Sequence, residues 1–199
     1  MPRTPPSIVG PDVSSHQDPA RVPWSALRAL GKASFMFART GYGVGSDATF
    51  PEHVKRARGA GVELVGAYHA ARPMRPVAAQ VDILERQADA VGGEVVPVLD
   101  LEVMDDRTPV EVADFALAFV VEVERRFGAP CVFYTYPFYA FGLPLAPELA
   151  TRPLWIAHYL AITPRIPAPW TDWAIHQYDG DGGEKAPGGM DLDFNRFRY

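Results

Sequence analysis

The sequence predicts an α/β fold in which eight strands close into an irregular, incomplete barrel. Short apolar runs alternate with amphipathic stretches along most of the chain, and this alternation is typical of a parallel sheet covered by helices. Eight candidate strands favour a barrel over an open, doubly wound sheet. After the fifth strand the connections become irregular and rich in Pro and Gly, so the helical layer is expected to be missing there.

The strands and helices follow from local patterns. The predicted strands span residues 8–13, 34–40, 63–69, 94–102, 129–136, 153–159, 173–178 and 190–197, and the predicted helices span residues 19–30, 51–60, 76–91 and 109–127. The last helix has the clearest signals. Thr108 and Glu111 form a capping box around Pro109, and Gly128 suits the C-terminal cap.

Composition limits the function classes. The chain has 199 residues with 48% hydrophobic and 22% charged side chains, which suits one globular domain over residues 1–199. Its net charge of −5 comes without a basic patch, which argues against nucleic acid as a partner. The first seven residues lack the apolar segment of a secretion signal, and the longest apolar run, 115–121, is too short to insert into a membrane.

Two further observations exclude common cofactor sites. The single Cys131 lies in an apolar-aromatic run, which indicates a buried structural thiol and excludes an intramolecular disulfide or a metal site with several cysteines. The segment 10–14 after the first strand is neither a dinucleotide fingerprint nor a phosphate-binding loop. We therefore expect no cofactor and no metal.

Two carboxylates end the fourth predicted strand. Residues two apart in a strand point to the same face, so Asp100 and Glu102 are expected to project side by side. Two acids held close together cannot both ionise freely, and one is pushed toward its protonated form. A neutral acid beside an anionic one can cleave a glycosidic bond. The alternative is a helix N-cap or a surface acid after the strand.

Nearly every predicted strand ends in a polar or aromatic residue, and in a barrel these ends build the active site. The residues are Asp12, Arg39, Thr40, Tyr68, His69, Asp100, Glu102, Tyr134, Tyr136, His158, Tyr159, His176, Gln177, Tyr178, Asp193 and Asn195. Carboxylates with aromatic neighbours indicate a carbohydrate cleft. Other interpretations stay open: His69 as a hydrogen-bonded core residue, Trp155 as packing, and Arg39 as an ion-pair partner of Asp12 or Asp193.

Several motifs in order resemble glycoside hydrolase family 25, the Chalaropsis-type lysozymes, over nearly the whole length. The opening strand is similar to the family's Asp-Val-Ser motif, although His16 replaces an aromatic residue and Asp18 replaces a glycine. The other similar segments are 35–41, the Gly-x-Tyr-His strand of 61–69, Asp-x-Glu at 100–102, Trp-x-Ala-x-Tyr at 155–159 and Asp-x-Asn at 193–195.

The resemblance implies an irregular TIM-like barrel, (β/α)5(β)3, that hydrolyses the β-1,4 bond between N-acetylmuramic acid and N-acetylglucosamine. It implies that Glu102 is the general acid, that Asp100 assists the reacting centre, and that Asp12 and Asp193 polarise the site, with Asp191 as the alternative to Asp193. The expected substrate-binding residues are Arg39, Tyr68, His69, Tyr134, Tyr136, Trp155, Tyr159 and Gln177.

The protein is expected to be a monomer that resembles an endolysin, and its expected partner is the glycan strand of peptidoglycan. Without a signal, such a protein would be made in the cytoplasm and reach the wall by host lysis or separate export. Two alternatives remain. One is a barrel that binds glycan without turnover. The other is a metal-dependent phosphodiester hydrolase with an oxygen-rich cation site, composed of Asp12, His69, Asp100, Glu102 and Asp193.

Overall fold

A computed structural model of the chain describes residues 7–180 and 183–198. The strands are β1 (Ser7–Val13), β2 (Phe35–Tyr42), β3 (Gly45–Ser46), β4 (Leu64–Ala70), β5 (Val96–Asp100), β6 (Val132–Thr135), β7 (Leu154–Ala157), β8 (Ile175–Asp179) and β9 (Asp193–Arg198). The helices are α1 (Trp24–Ala29), α2 (Phe50–Gly59), α3 (Val77–Ala90), α4 (Pro109–Phe127), α5 (Pro137–Ala140) and a 3₁₀ turn at Pro147–Thr151.

Within the described residues, eight strands close into a barrel in the order β1, β9, β8, β7, β6, β5, β4, β2, and β2 pairs again with β1. The neighbours from β1 through β2 and β4 to β8 are parallel. Strand β9 is antiparallel to both of its neighbours. The short β3 extends the β2 edge as a hairpin. The predicted irregular α/β barrel is confirmed.

The direction of β9 corrects one expectation. Asp193 and Asn195 were expected at the C-terminal end of a parallel strand, but Asp193 is the first residue of β9. Residues 180–192 connect β8 to β9, and the described part of this connection contains no helix that would carry the chain back to the other end of the barrel. Because β9 runs the other way, its beginning reaches the same end of the barrel as the C-terminal ends of the other strands.

Helix α4 matches its predicted bounds because its signals are local. The Thr108 hydroxyl accepts a hydrogen bond from the backbone N–H of Glu111, and the Glu111 carboxylate accepts one from the N–H of Thr108. Gly128 ends the helix at φ 63°, a conformation that favours glycine. The sequence patterns missed α5 and β3, which have four and two residues and are too short for a periodic signal.

Aromatic side chains fill the barrel. Phe37 stacks on Trp155 at a centroid distance of 4.4 Å, and Tyr134 meets Trp155 edge-on at 4.5 Å. Two glycines make room for neighbouring atoms. A Cβ atom at Gly66 would lie 1.8 Å from the Phe37 ring, and one at Gly10 would lie 2.2 Å from the backbone carbonyl oxygen of Phe35. A cleft opens at the mouth of the barrel, where the polar strand ends lie.

A second core lies between the barrel and its helices. Leu27, Phe50, Leu84 and Phe119 come from α1 to α4 and are fully buried. Among the described helices, none is both long and apolar enough to cross a membrane.

Candidate active site

A cleft of about 420 Å³ opens at the mouth of the barrel. Most of the predicted site residues line it. They are Asp12, Arg39, Tyr68, Asp100, Glu102, Tyr134, Trp155, Tyr159, Gln177 and Asp193, together with Val13, Ser14, His16, Gln17, Tyr42, Ala70 and Asp191, which were not predicted to bind substrate. The cleft thus brings acids from β1, β5, β9 and the loops before and after them to one place.

Asp100 and Glu102 share a hydrogen bond in this cleft. The sequence predicted Glu102 within this strand. In the structure Asp100 is the last residue of β5, and Glu102 lies beyond its end. The segment nevertheless stays extended beside β6, because the Leu101 N–H donates to the carbonyl of Tyr134 at 3.0 Å and the Thr135 hydroxyl donates to the carbonyl of Leu101 at 2.9 Å. Both carboxyls are therefore held on the cleft side.

Burial raises the pKa of both acids. The pKa of Asp100 lies well above its usual range because of burial, the charge of Glu102 and their hydrogen bond. Burial also raises the pKa of Glu102, but its hydrogen bond with Asp100 opposes the shift. The two carboxyls therefore share a proton along their hydrogen bond.

Asp12 is a third acid whose pKa is raised. Its Oδ2 accepts hydrogen bonds from Gln177 Nε2 and Asn195 Nδ2, each at 2.8 Å. Burial and then the charge of Asp193 raise the pKa of Asp12 to about 8, although both hydrogen bonds oppose the shift. A proton therefore stays on Asp12 near pH 7, close to the proton that Asp100 and Glu102 share.

Amide side chains hold this acid in place. Gln177 Oε1 accepts hydrogen bonds from the hydroxyls of Tyr134 at 2.8 Å and Tyr159 at 3.1 Å. Asn195 Oδ1 accepts one from Trp155 Nε1 at 2.7 Å. These donors fix which amide atom is the oxygen, so both NH₂ groups point at Asp12. The predicted residues Tyr134, Trp155, Tyr159 and Gln177 thus form a connected hydrogen-bonded frame.

Arg39 lines the cleft and pairs with Asp47, whereas one interpretation expected it to pair with Asp12 or Asp193. Its Nε donates to Asp47 Oδ2 at 3.0 Å, and its NH2 group donates to Ser15 Oγ at 2.6 Å. Asp47 lies close to Arg39 in the chain, in the loop after β3, and its side chain is only 2% exposed. The guanidinium is therefore anchored from outside the acid cluster.

His69 was expected to bind substrate, but its ring lies outside the cleft. The ring is fully buried, its Nε2 donates to the carbonyl of Gly43 at 2.8 Å, and it stacks on Phe119 of α4 at 6.1 Å. Burial lowers its pKa to about 4, so the ring is neutral near pH 7. It is the core histidine of the alternative interpretation, and it faces away from the acids with which the metal-dependent alternative grouped it.

Tyr136 also lies elsewhere. It follows the end of β6, its ring contacts that of Tyr139 at 5.6 Å, and it lines a separate groove with Phe138 and Leu143. In the described ranges, no group of three or more His, Cys, Asp or Glu side chains has an arrangement that could hold a metal ion.

Tyr42 lines the cleft and was not predicted to do so, although the sequence contains a signal that could have identified it. The predicted strand stopped at residue 40, whereas β2 continues to Tyr42 and places it at the mouth. The rule that strand ends build the site would have included it with the correct strand length.

Known proteins share this fold and part of this sequence. The model of glycosyl hydrolases family 25 matches residues 11–186. A bacterial lysozyme from Streptomyces coelicolor is 27% identical, with a TM-score of 0.80 and coverage of 96% of this chain and 91% of that one. The spore cortex lytic enzyme of Clostridium perfringens is 25% identical, with a TM-score of 0.81 and coverage of 99% and 69%.

A family 25 lysozyme from Aspergillus fumigatus is 22% identical, with a TM-score of 0.80 and coverage of 98% and 95%; at this identity it supports the fold alone. Comparison with curated protein sequences finds no match. The family match extends over most of the chain and includes the end of β1 and the Asp-x-Glu segment. The chain therefore belongs to glycosyl hydrolase family 25 and is a glycoside hydrolase.

Proposed function

We propose that this protein is a muramidase that hydrolyses the β-1,4 bond between N-acetylmuramic acid and N-acetylglucosamine in peptidoglycan. The observation that carries the proposal is the hydrogen-bonded pair of Asp100 and Glu102 with raised pKa values in a cleft of the family 25 barrel. A similar protein from Streptomyces coelicolor is described as a lysozyme.

Glu102 is the proposed general acid. It donates a proton to the glycosidic oxygen as the bond from that oxygen to the anomeric carbon breaks. Water then supplies the hydroxyl group of the new reducing end, and its remaining proton returns to the carboxylate. Asp100 and Glu102 share a proton along their hydrogen bond, and catalysis requires transfer of this proton to Glu102 when substrate binds.

An acetamido group of the substrate can cause this transfer. Its N–H donates a hydrogen bond to Asp100 and stabilises the charged form of that carboxyl. The proton then resides on Glu102, next to the leaving oxygen. Asp100 thereby orients the acetamido group and supplies negative charge near the reacting carbon. These are the roles that the sequence motif implied.

The neutral Asp12 supports the same arrangement. A charged Asp12 would raise the pKa of Asp100 further and oppose its ionisation. The amides of Gln177 and Asn195 hold Asp12 at 2.8 Å each, so its position does not depend on its charge. We propose that Asp193, or Asp191 beside it, completes the acidic wall, and that Arg39, Tyr68 and Tyr159 contact the sugar.

The proposed setting is that of an endolysin. The protein would act as a monomer on glycan strands of the cell wall, after release by lysis or by a separate export route. The catalytic domain of an endolysin from a Listeria phage has the same fold, with a TM-score of 0.77 at 18% identity. We propose neither nucleic acid nor a membrane as a partner.

Mass spectrometry of digested peptidoglycan tests the proposal. The wild-type protein should create new reducing ends that carry muramic acid, and Glu102→Gln should lower their rate of formation by about 10²- to 10⁴-fold, the usual contribution of a general acid. Glu63→Gln is the matched control, because Glu63 is exposed and lies outside the cleft. Both variants should keep the wild-type thermal transition.

The other outcomes separate the alternatives. N-acetylglucosamine at the new ends would make the enzyme a glucosaminidase. Binding to peptidoglycan without new ends would indicate a barrel that binds glycan without turnover. Loss of activity in the presence of a chelator would favour the metal-dependent hydrolase, and full activity of Glu102→Gln would refute the proposed role of Glu102.

A further inference from the structure

Tyr42 stands at the rim of the cleft on a small hairpin. It is the last residue of β2, it pairs with Gly45 of β3, and it lines the cleft together with the acids. Its side chain is 47% exposed, which is high for a tyrosine at the end of a buried strand. Exposure of a large aromatic surface at a polar cleft is the arrangement in which aromatic rings contact sugars.

Arg72 holds the Tyr42 ring from behind. Its guanidinium carbon lies 5.0 Å from the centre of the ring, and its NH1 group donates a hydrogen bond to the Tyr42 hydroxyl at 2.8 Å. Gly43 permits this contact in two ways. Its φ of 56° is in the left-handed region, and a Cβ atom there would lie 2.8 Å from Arg72 Cγ.

Asp105 anchors Arg72 in turn. Arg72 Nε donates to Asp105 Oδ1 at 2.6 Å, and the Asp105 side chain is 2% exposed. Asp105 and Asp106 have φ angles of 52° and 57°, which non-glycine residues rarely adopt. Asp105 lies three residues after Glu102, so this ion pair joins the loop of the general acid to the rim that carries Tyr42.

The backbone of this connection is also fixed. Gln80 is fully buried, accepts a hydrogen bond from the Arg72 N–H at 2.9 Å, and donates to the carbonyl of Arg72 at 3.1 Å. On the other side of the hairpin, His69 donates to the carbonyl of Gly43. One buried side chain thus fixes the backbone of Arg72 and another fixes the turn of the hairpin, while the Tyr42 ring remains exposed.

We propose that Tyr42 is a sugar-binding residue of the cleft, and that Arg72 and Asp105 are positioning residues that hold its ring ready for a pyranose of the glycan strand. The proposal rests on the proposed muramidase function. The C–H face of a sugar would pack on the exposed face of the ring, because Arg72 covers the other face and donates a hydrogen bond to the hydroxyl group. The ring would add binding energy without contact with the bond that breaks.

Steady-state kinetics on soluble peptidoglycan fragments test the role of Tyr42. Tyr42→Ala should raise KM by about three- to tenfold, the range of an aromatic contact, with kcat within about twofold of wild type. Tyr42→Phe keeps the ring and should leave KM within about twofold. Phe138→Ala is the control, because Phe138 is 72% exposed but lines a different groove. An unchanged KM for Tyr42→Ala would overturn the proposal.

A double-mutant cycle tests the positioning residues. Arg72→Ala should raise KM, and the same change in the Tyr42→Ala protein should have no further effect, because Arg72 would act through the ring. Additive effects would show that Arg72 does not act through Tyr42. Thermal unfolding of each variant identifies a general loss of structure.

Failure of the proposed function can be told apart from failure of this inference. The identity of the reducing ends made by the wild-type protein tests the muramidase function and does not involve Tyr42. Sedimentation with insoluble peptidoglycan, with Glu102→Gln in every protein, then tests the ring without catalysis: adding Tyr42→Ala should weaken binding by about three- to tenfold, and adding Phe138→Ala should not change it. Equal binding with and without Tyr42→Ala would overturn the inference even if the protein were no enzyme.

Discussion

The two sides of the barrel are covered in different ways. Strands β1 to β6 pack against α1 to α4, through fully buried side chains such as Leu84 and Phe119. Within residues 7–180 and 183–198, no helix packs on β8 and β9 in this way. There the Arg196 guanidinium lies 5.7 Å from the Trp173 ring centre and 5.6 Å from that of Tyr178, and Arg198 lies 5.5 Å from Trp173. A stack of arginines and aromatic rings covers this side.

Each side contributes different groups to the cleft. The helix-covered side supplies Asp100 and Glu102, whereas β8 and β9 supply the amides that hold Asp12. Along β9, side chains that face the cleft alternate with side chains that face outward, as the geometry of a strand requires. Asn195 points inward to Asp12, and the next residue, Arg196, points outward into the aromatic stack. The comparison indicates that one side carries the chemistry and the other positions it.

The largest expected effect compares an acid from each side. Asp100→Asn should lower the rate of reducing-end formation by about 10²- to 10⁴-fold, because an amide cannot exchange a proton with Glu102. Asp193→Asn should cost about tenfold, since Asp193 acts through its charge on Asp12. Initial rates on purified peptidoglycan measure both. Equal losses in the two variants would contradict the division between the sides.

The sequence predicts the helix-covered side better because its signals are local. The bounds of α4 follow from a capping box and a terminal glycine. The last two strands were predicted at 173–178 and 190–197, whereas they span Ile175–Asp179 and Asp193–Arg198. The direction of β9 depends on how its loop returns to β8, and no periodic pattern records that.

The candidate site shows the same limit. Adjacent residues of a strand point to opposite faces, so Tyr68 and His69 cannot both line the cleft. Tyr68 lines it, and His69 packs on Phe119. Strand parity alone excludes one of the two, but it does not say which, because that depends on where the strand begins in the barrel. The pairing of Arg39 with Asp47 likewise depends on a loop whose path has no sequence signal.

Core packing on the helix-covered side gives the next effect. Phe119→Ala removes a fully buried ring between α4 and the barrel, and it should lower the free energy of unfolding by about 3–5 kcal/mol. Val121→Ala on the same helix is the control, because Val121 is 51% exposed and should cost less than about 0.5 kcal/mol. Urea denaturation measures both. A loss below about 1 kcal/mol for Phe119→Ala would mean that the helices contribute little to this side.

Two buried histidines, one on each side, allow a matched test of pH. The pKa of His69 is lowered to about 4 by burial, and that of His176 to about 4 by burial and the nearby Arg196. An unfolded histidine titrates near 6.5, so between about pH 4 and 6.5 the unfolded chain binds the proton and the folded protein does not. Each histidine therefore destabilises the fold as the pH falls through that window.

His69→Gln and His176→Gln should each flatten this dependence. The slope that one histidine adds is at most about 1.4 kcal/mol per pH unit, and it should disappear from the variant, so that the difference between variant and wild type shows it. Urea denaturation at several values between pH 4 and 7 gives the slopes. If only His69→Gln flattened the curve, the arginine and aromatic side would be open enough for His176 to keep an ordinary pKa when folded.

The smallest effect distinguishes how the two sides use arginine. Arg126 binds Asp82, Glu85 and Glu122 between α3 and α4, whereas Arg196 lies between aromatic rings and donates to His176 Nδ1 at 2.8 Å. Arg196→Met should lower the free energy of unfolding by about 1–2 kcal/mol, from two cation–π contacts and a hydrogen bond.

Salt should separate these two arginines. Ions screen charge pairs near the surface within a few ångströms at about 1 M salt, so the loss caused by Arg126→Met should shrink as NaCl is added. The loss caused by Arg196→Met should stay nearly constant, because ring faces carry no net charge and packing is not screened. Urea denaturation with and without about 1 M NaCl measures the difference. If both losses shrank equally, the aromatic stack would be an ordinary charged surface, and the rigidity of β9 beneath Asn195 would need another source.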